Sequence, residues 1–145
     1  MPINIEKTKQ YYEETATKQL CSCEDCQNYA ANIKSAYPDL AEYLASLGAD
    51  IEKPFETMPL YAENGLVHFF AAQYVLLGSG ADFEKVSVSG FDIDIAVDHP
   101  MTSIEDEHFV IEVCGEICVP HTVFLEYPKQ ERKTLFSKLI RKIKK

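Results

Sequence analysis

Three of the chain's five cysteines fall within six residues, in Cys21-Ser22-Cys23-Glu24-Asp25-Cys26. Cys23-x-x-Cys26 has the spacing at which two thiolates chelate one Zn²⁺. Cys114-x-x-x-Cys118 offers a second pair that would close a four-sulfur tetrahedron, and His99, His108 or His121 could replace one member. The candidate metal ligands are therefore Cys21, Cys23, Cys26, Cys114 and Cys118, and zinc is the implied cofactor. A helix beginning beside the first group would favour the chemistry, because the positive end of the helix dipole stabilises thiolate. Two features oppose it. Glu24 and Asp25 add negative charge next to the thiols. Cys114 and Cys118 lie in a strand-like run, where residues four apart sit roughly 13 Å from each other, so that only a turn at Gly115-Glu116 would close them on one ion. A dithiol redox role for Cys23 and Cys26 is a second reading, and small half-buried packing side chains are a third.

A second cluster is acidic. Asp92, Asp94 and Asp98 alternate with apolar residues, with Glu84 and Glu112 as possible neighbours. Carboxylates so placed can hold a hard divalent cation or act as an acid/base pair, but a solvated sheet face explains them more simply. No Gly-x-Ser-x-Gly, His-Glu-x-x-His, phosphate loop or dinucleotide fingerprint is present. Nothing marks the chain as an enzyme, and no catalytic residue is assigned.

The elements that must position these groups can be read from periodicity. Asp25 is a plausible N-cap for a helix over 26–36, with Tyr29, Ile33 and Ala36 on its apolar face. Pro38 suits the first turn of a second helix over 38–47, striped by Leu40, Leu44 and Leu47 and closed by Gly48. Strand texture follows: 57–61, a turn at Asn64-Gly65, the apolar run 66–77, then 86–89 and 91–98. Residues 109–114 and 117–119 are either a tight hairpin or one long strand kinked at Gly115. A last strand is expected over 123–127. In the tail, Leu135, Phe136, Leu139, Ile140 and Ile143 form a helical stripe opposite basic side chains. Strands that follow one another without intervening helices point to α+β: an antiparallel sheet with an N-terminal helical pair and a C-terminal amphipathic helix. The expected organisation is one α+β domain over 1–128 and a basic helix over 129–145.

Charge is divided along the same boundary. The net charge is −9 over 145 residues. Residues 129–145 hold eight of the fourteen basic residues and one of the twenty-three acidic ones, a surplus of +7 that leaves 1–128 at −16. An acidic body repels nucleic acid and anionic membrane. The tail can pack on that body, or make peripheral contact with an anionic membrane or a partner through Lys133, Lys138, Arg141, Lys142 and Lys145. With no basic patch interleaved with aromatics in the body, nucleic acid is an improbable partner. No apolar run approaches the roughly 20 residues of a bilayer span, and the N-terminus has no secretory pattern. The cytoplasm is therefore the expected location, where cysteines stay as thiols or metal ligands.

The run Cys23-Glu24-Asp25-Cys26-Gln27-Asn28-Tyr29, followed by Leu44-Ala45-Ser46-Leu47-Gly48-Ala49-Asp50 and Lys53-Pro54, resembles a group of small bacterial proteins with an N-terminal Cys-x-x-Cys, a short helical pair ending in Leu-Gly and a strand-rich remainder. The resemblance covers residues 21–54 and implies a bacterial cytosolic setting and no activity. Two functions remain in view. One is a non-catalytic acidic protein-interaction domain, antitoxin- or immunity-like, whose carboxylates cover a basic site on a protein partner. The other is a small zinc- or thiol-dependent protein using Cys21, Cys23 and Cys26.

Overall fold

The computed structural model describes residues 3–15 and 21–125. Three helices, α1 (Ile5–Glu14), α2 (Glu24–Ala36) and α3 (Pro38–Ser46), precede five strands, β1 (Glu56–Glu63), β2 (Leu66–Leu77), β3 (Val86–Val88), β4 (Phe91–Ile95) and β5 (His108–Pro120). The strands form one antiparallel sheet in the order β1-β2-β5-β4-β3. The fold is α+β, as expected from the sequence. The tail helix expected over 129–145, with Lys133, Lys138, Arg141, Lys142 and Lys145, lies outside the described residues. Among the described residues no helix is long and apolar enough to cross a membrane.

One sheet face carries the main core, and a smaller cluster of Val75, Leu77, Ala96 and Val110 is buried on the other. Tyr29 and Ile33 of α2 and Leu40 and Leu44 of α3 are fully buried against Phe69 and Tyr74 of β2, Ile93 of β4 and Ile111, Val113 and Ile117 of β5. Strand alternation accounts for the selection, since every second residue points at the helices. Tyr29 and Tyr74 bring hydroxyls into this core and satisfy them locally. Their oxygens lie 2.6 Å apart, and Tyr74 donates to the Ile51 carbonyl at 2.8 Å. Burial raises the pKa of both phenols, so both remain neutral donors.

Gly48 closes α3 as expected, at φ +90. A Cβ there would stand 2.6 Å from the Ile5 carbonyl oxygen, so glycine permits both the left-handed cap and the approach of α1.

The first helix solves an edge problem. β1 pairs with β2 only as far as Glu56↔Gln73, leaving residues 74–77 of β2 with unpaired backbone groups on that side. α1 supplies partners: Tyr12 donates to the Val75 carbonyl at 2.9 Å, the Leu77 N–H donates to Thr8 Oγ1 at 2.9 Å, and the Asn4 N–H donates to the Leu77 carbonyl at 2.8 Å. A buried strand end needs such satisfaction.

β5 settles the choice between hairpin and kinked strand. It runs unbroken over thirteen residues, with its register to β2 shifting between Ala71↔Cys114 and Phe69↔Ile117. Gly115 sits in this bulge at φ +148, and the Phe91 ring occupies the space its Cβ would need, 2.7 Å away. A bulge at glycine bends a strand without reversing it. Residues 121–125 form no strand. They lie instead along α2, held by side chains.

Candidate metal centre

Cys21, Cys23 and Cys26 converge. One ligand atom from each lies within 4.8 Å of the others, and among the described residues no other three His, Cys, Asp or Glu side chains do so. The Cys21 and Cys23 sulfurs are 3.3 Å apart, and Cys26 Sγ is 3.2 Å from the Thr57 hydroxyl. All five cysteines are free.

The local fold explains the convergence. The N-cap of α2 is Cys23, two residues before the expected Asp25. Its backbone is extended, at φ −67 and ψ 160, and its sulfur accepts the Cys26 N–H at 3.4 Å. Sulfur here performs the task usually given to a serine or aspartate oxygen. The cap turns the Cys23 side chain back over the first helical turn, where Cys26 projects. Glu24 and Asp25 then occupy that first turn, where carboxylates suit the helix dipole.

Cys21 and Cys26 differ electrostatically. Cys21, exposed, is held below the ordinary thiol pKa, mainly because the Cys23 backbone N–H donates to it. Cys26, half-buried, is pushed well up by burial. In the absence of metal, Cys21 therefore ionises more readily than Cys26. The Glu24 carboxylate is engaged elsewhere. It accepts the Leu125 N–H at 2.9 Å and contacts His121 Nε2 at 3.2 Å.

The helix that carries the thiols is clamped by Asn28, a fully buried polar residue. Its Oδ1 accepts the Thr122 and Val123 N–H groups at 2.8 and 2.7 Å. Its Nδ2 donates to the Glu24 and Val123 carbonyls at 3.0 and 2.8 Å. Asn32, one turn later, donates to the Pro120 carbonyl and to Thr122 Oγ1. Side chains of α2 thus stand in for a strand partner at residues 122, 123 and 125.

A small cleft adjoins the thiols, lined by Cys21, Cys26, Ala30, Phe55, Glu56 and Thr57, with a volume of about 20 Å³. That is room for one water-sized ligand.

The second cysteine pair does not complete this group. Val113, Ile117 and Val119 of β5 point into the helix-covered core, so alternation turns Cys114 and Cys118 to the opposite face of the sheet. Each has its own partner there. Cys114 donates to Glu112 Oε2 at 3.2 Å, and Cys118 Sγ lies 3.2 Å from His68 Nδ1. Burial and the Glu112 carboxylate push the Cys114 thiol up to about 11. Because β5 does not turn at Gly115-Glu116, the four-sulfur tetrahedron has no geometric basis, and three thiols remain. None of the three alternative histidines joins them. His99 contacts the Pro100 carbonyl, His108 the Thr102 hydroxyl and the Asp106 carbonyl, and His121 the Glu24 carboxylate.

Thr57 and Glu56 carry no signal in the sequence that marks them as neighbours of the thiols. They reach the thiols only because β1 passes beneath the start of α2, a juxtaposition without local sequence signal. The alternating carboxylates divide as alternation requires: Phe91 and Ile93 are buried, while Asp92 and Asp94 are exposed. Asp92 pairs with Lys85 at 3.8 Å. Asp94 stands opposite Glu112 and Asp92 opposite Cys114.

No known protein family, curated protein or solved structure was found to match the chain.

Proposed function

We propose that the protein is a small metal-binding α+β domain in which Cys21, Cys23 and Cys26 bind one zinc ion through three thiolates. The convergence of the three sulfurs within 4.8 Å carries the reading. Zn–S bonds of about 2.3 Å in a tetrahedron place sulfurs about 3.8 Å apart, a small adjustment from the 3.3 Å between Cys21 and Cys23. Thiolate ligands select a soft or borderline ion over magnesium or calcium, and the start of α2 offsets part of the negative charge. A fourth ligand would be a water held in the small cleft that Cys21 and Cys26 share with Glu56 and Thr57. Three protein ligands with an exchangeable fourth make an open site, in contrast to the closed four-ligand structural type. Bound metal would tie Cys21 to the first turn of α2 and add its binding free energy to folding.

The test is a comparison of the full-length chain with Cys23→Ser. Serine caps a helix at least as well as cysteine, so the variant keeps its fold without metal and loses the sulfur. One equivalent of Zn²⁺ should raise the melting temperature of the wild type and leave Cys23→Ser unmoved. Equal shifts in both would contradict the reading.

The contact between Cys21 and Cys23 favours a second reading, a thiol switch. Mild oxidation that removed two hydrogens and joined these two residues, in protein without affinity for zinc, would support it. An acidic interaction domain is a third reading, motivated by the −16 charge of residues 1–128 and by the carboxylates displayed on the sheet face away from the helices.

A further inference from the structure

The two cysteines on that face differ in what stands beside them. Cys114 donates to the Glu112 carboxylate at 3.2 Å, and burial together with that contact keeps its proton in place. Cys118 faces an imidazole instead. The register sets Tyr61 opposite His68 and His68 opposite Cys118, so that one residue from each of β1, β2 and β5 forms a row across the sheet. The Cys118 sulfur lies 3.2 Å from His68 Nδ1. The Tyr61 ring stacks on the imidazole, with centroids 4.4 Å apart and planes inclined at 21°. The strand ladder thus sets the distance from imidazole to thiol, and the stack sets the plane of the ring.

With its own proton on Nε2, His68 presents the Nδ1 lone pair to the thiol, the arrangement of a nucleophile and its base. The sulfur is also within reach. Cys118 is only half-buried. Among the described residues β4 pairs with β5 no further than Asp92↔Cys114, so no strand flanks Cys118 on that side. The buried cluster of Val75, Leu77, Ala96 and Val110 lies towards the opposite end of β2 and β5. Near the row, Tyr61 and Leu66 are exposed, as is Phe70 at the bulge of β2. Leu66 shares a face with His68, two residues on. Exposed apolar side chains beside a nucleophile give the body of an incoming molecule a surface to lie on.

We propose that Cys118 is a modification site, at which the thiol exchanges with a low-molecular-weight disulfide and His68 acts as its base. Cys118 Sγ attacks one sulfur of the incoming disulfide while its proton passes to His68 Nδ1. A new S–S bond forms to Cys118, the incoming S–S bond breaks, and the departing thiolate takes the proton from His68. One disulfide is consumed as one is made, so no further oxidant enters. The charge that develops on the departing sulfur is neutralised by the proton His68 carries, so the pair supplies the whole step. Cys114, four residues earlier on the same strand, serves as the internal control.

The experiment treats the reduced full-length chain with oxidised glutathione, an anionic probe, and with cystamine, a cationic one. Cleavage after Glu116 places Cys114 and Cys118 on separate peptides, and mass spectrometry follows mixed-disulfide formation at each. With at least one probe, Cys118 should react about tenfold or more faster than Cys114. His68→Gln should slow Cys118 by about tenfold or more and leave Cys114 unchanged. Tyr61→Leu, on the edge strand, removes the stack alone; it should slow Cys118 severalfold and serves if the first variant fails to fold. Equal rates at the two cysteines with both probes, an unchanged Cys118 rate in the folded variant, or equal slowing of both cysteines would overturn the proposal.

Discussion

Replacing Asn28 by alanine isolates the clamp that holds the thiol-bearing helix to the segment after β5. The variant removes two acceptances, from the Thr122 and Val123 N–H groups, and two donations, to the Glu24 and Val123 carbonyls. Each such bond contributes about 0.5–1.5 kcal/mol net, and the backbone groups of residues 122 and 123 lose their side-chain partner. The sum overshoots, because these bonds are coupled and because alanine is the better helix former by up to about 0.7 kcal/mol. A loss of about 3 kcal/mol is the balanced expectation. With a urea slope of about 1.5 kcal/mol/M, this lowers the unfolding midpoint by about 2 M. The assay is urea denaturation followed by far-ultraviolet circular dichroism, with amide exchange read at Thr122 and Val123. Both amides should lose protection before the core does. A midpoint shift under about 0.5 M, or unchanged protection at both amides, would refute the claim that Asn28 substitutes for strand pairing.

Four further outcomes are expected. In metal-free protein, iodoacetamide should modify Cys21 ahead of Cys26 as pH rises towards 8, since the lowered pKa of Cys21 yields thiolate at lower pH; peptide mapping showing Cys26 ahead of Cys21 would contradict the electrostatic reading. Zinc affinity, measured by chelator competition, should rise with pH, because the Cys26 thiol keeps its proton until metal displaces it; each displaced proton contributes roughly tenfold per pH unit. Tyr74→Phe removes the oxygen beside Tyr29 and the donor to Ile51 and should cost about 1–3 kcal/mol by urea denaturation, whereas an effect under about 0.5 kcal/mol would show that solvent substitutes for the pair. Gly48→Ala places a methyl group 2.6 Å from the Ile5 carbonyl at φ +90 and should lower stability by about 2 kcal/mol or more, separating α1 from the end of α3.

The legible parts of the fold were those with local causes. The stripes of Tyr29 and Ile33, and of Leu40 and Leu44, marked α2 and α3, and the turn at Asn64-Gly65 and the alternation of Phe91 to Ile95 marked strands. The helix start was misplaced by two residues because a cysteine took a capping position that Asp25 would ordinarily fill. The strand expected over 123–127 does not form in its described part: the Asn28 amide holds residues 122 and 123, and the Glu24 carboxylate accepts the Leu125 N–H. For the candidate site, the spacing of Cys21, Cys23 and Cys26 was visible at once, since a helix start places such residues together. That Cys114 and Cys118 face away from them follows from the parity of β5 through its bulge, which the sequence alone did not determine. The same holds for Glu56 and Thr57 beside the thiols, a juxtaposition that exists only once β1 is placed on the sheet.

The central claim is three thiolates on one ion with the fourth position open. X-ray absorption at the zinc edge of protein loaded with one equivalent of Zn²⁺ tests it most directly. Three sulfur neighbours at about 2.3 Å and one nitrogen or oxygen neighbour at about 2.0 Å are expected. Four sulfur neighbours, or a shell of oxygen and nitrogen without sulfur, would contradict it.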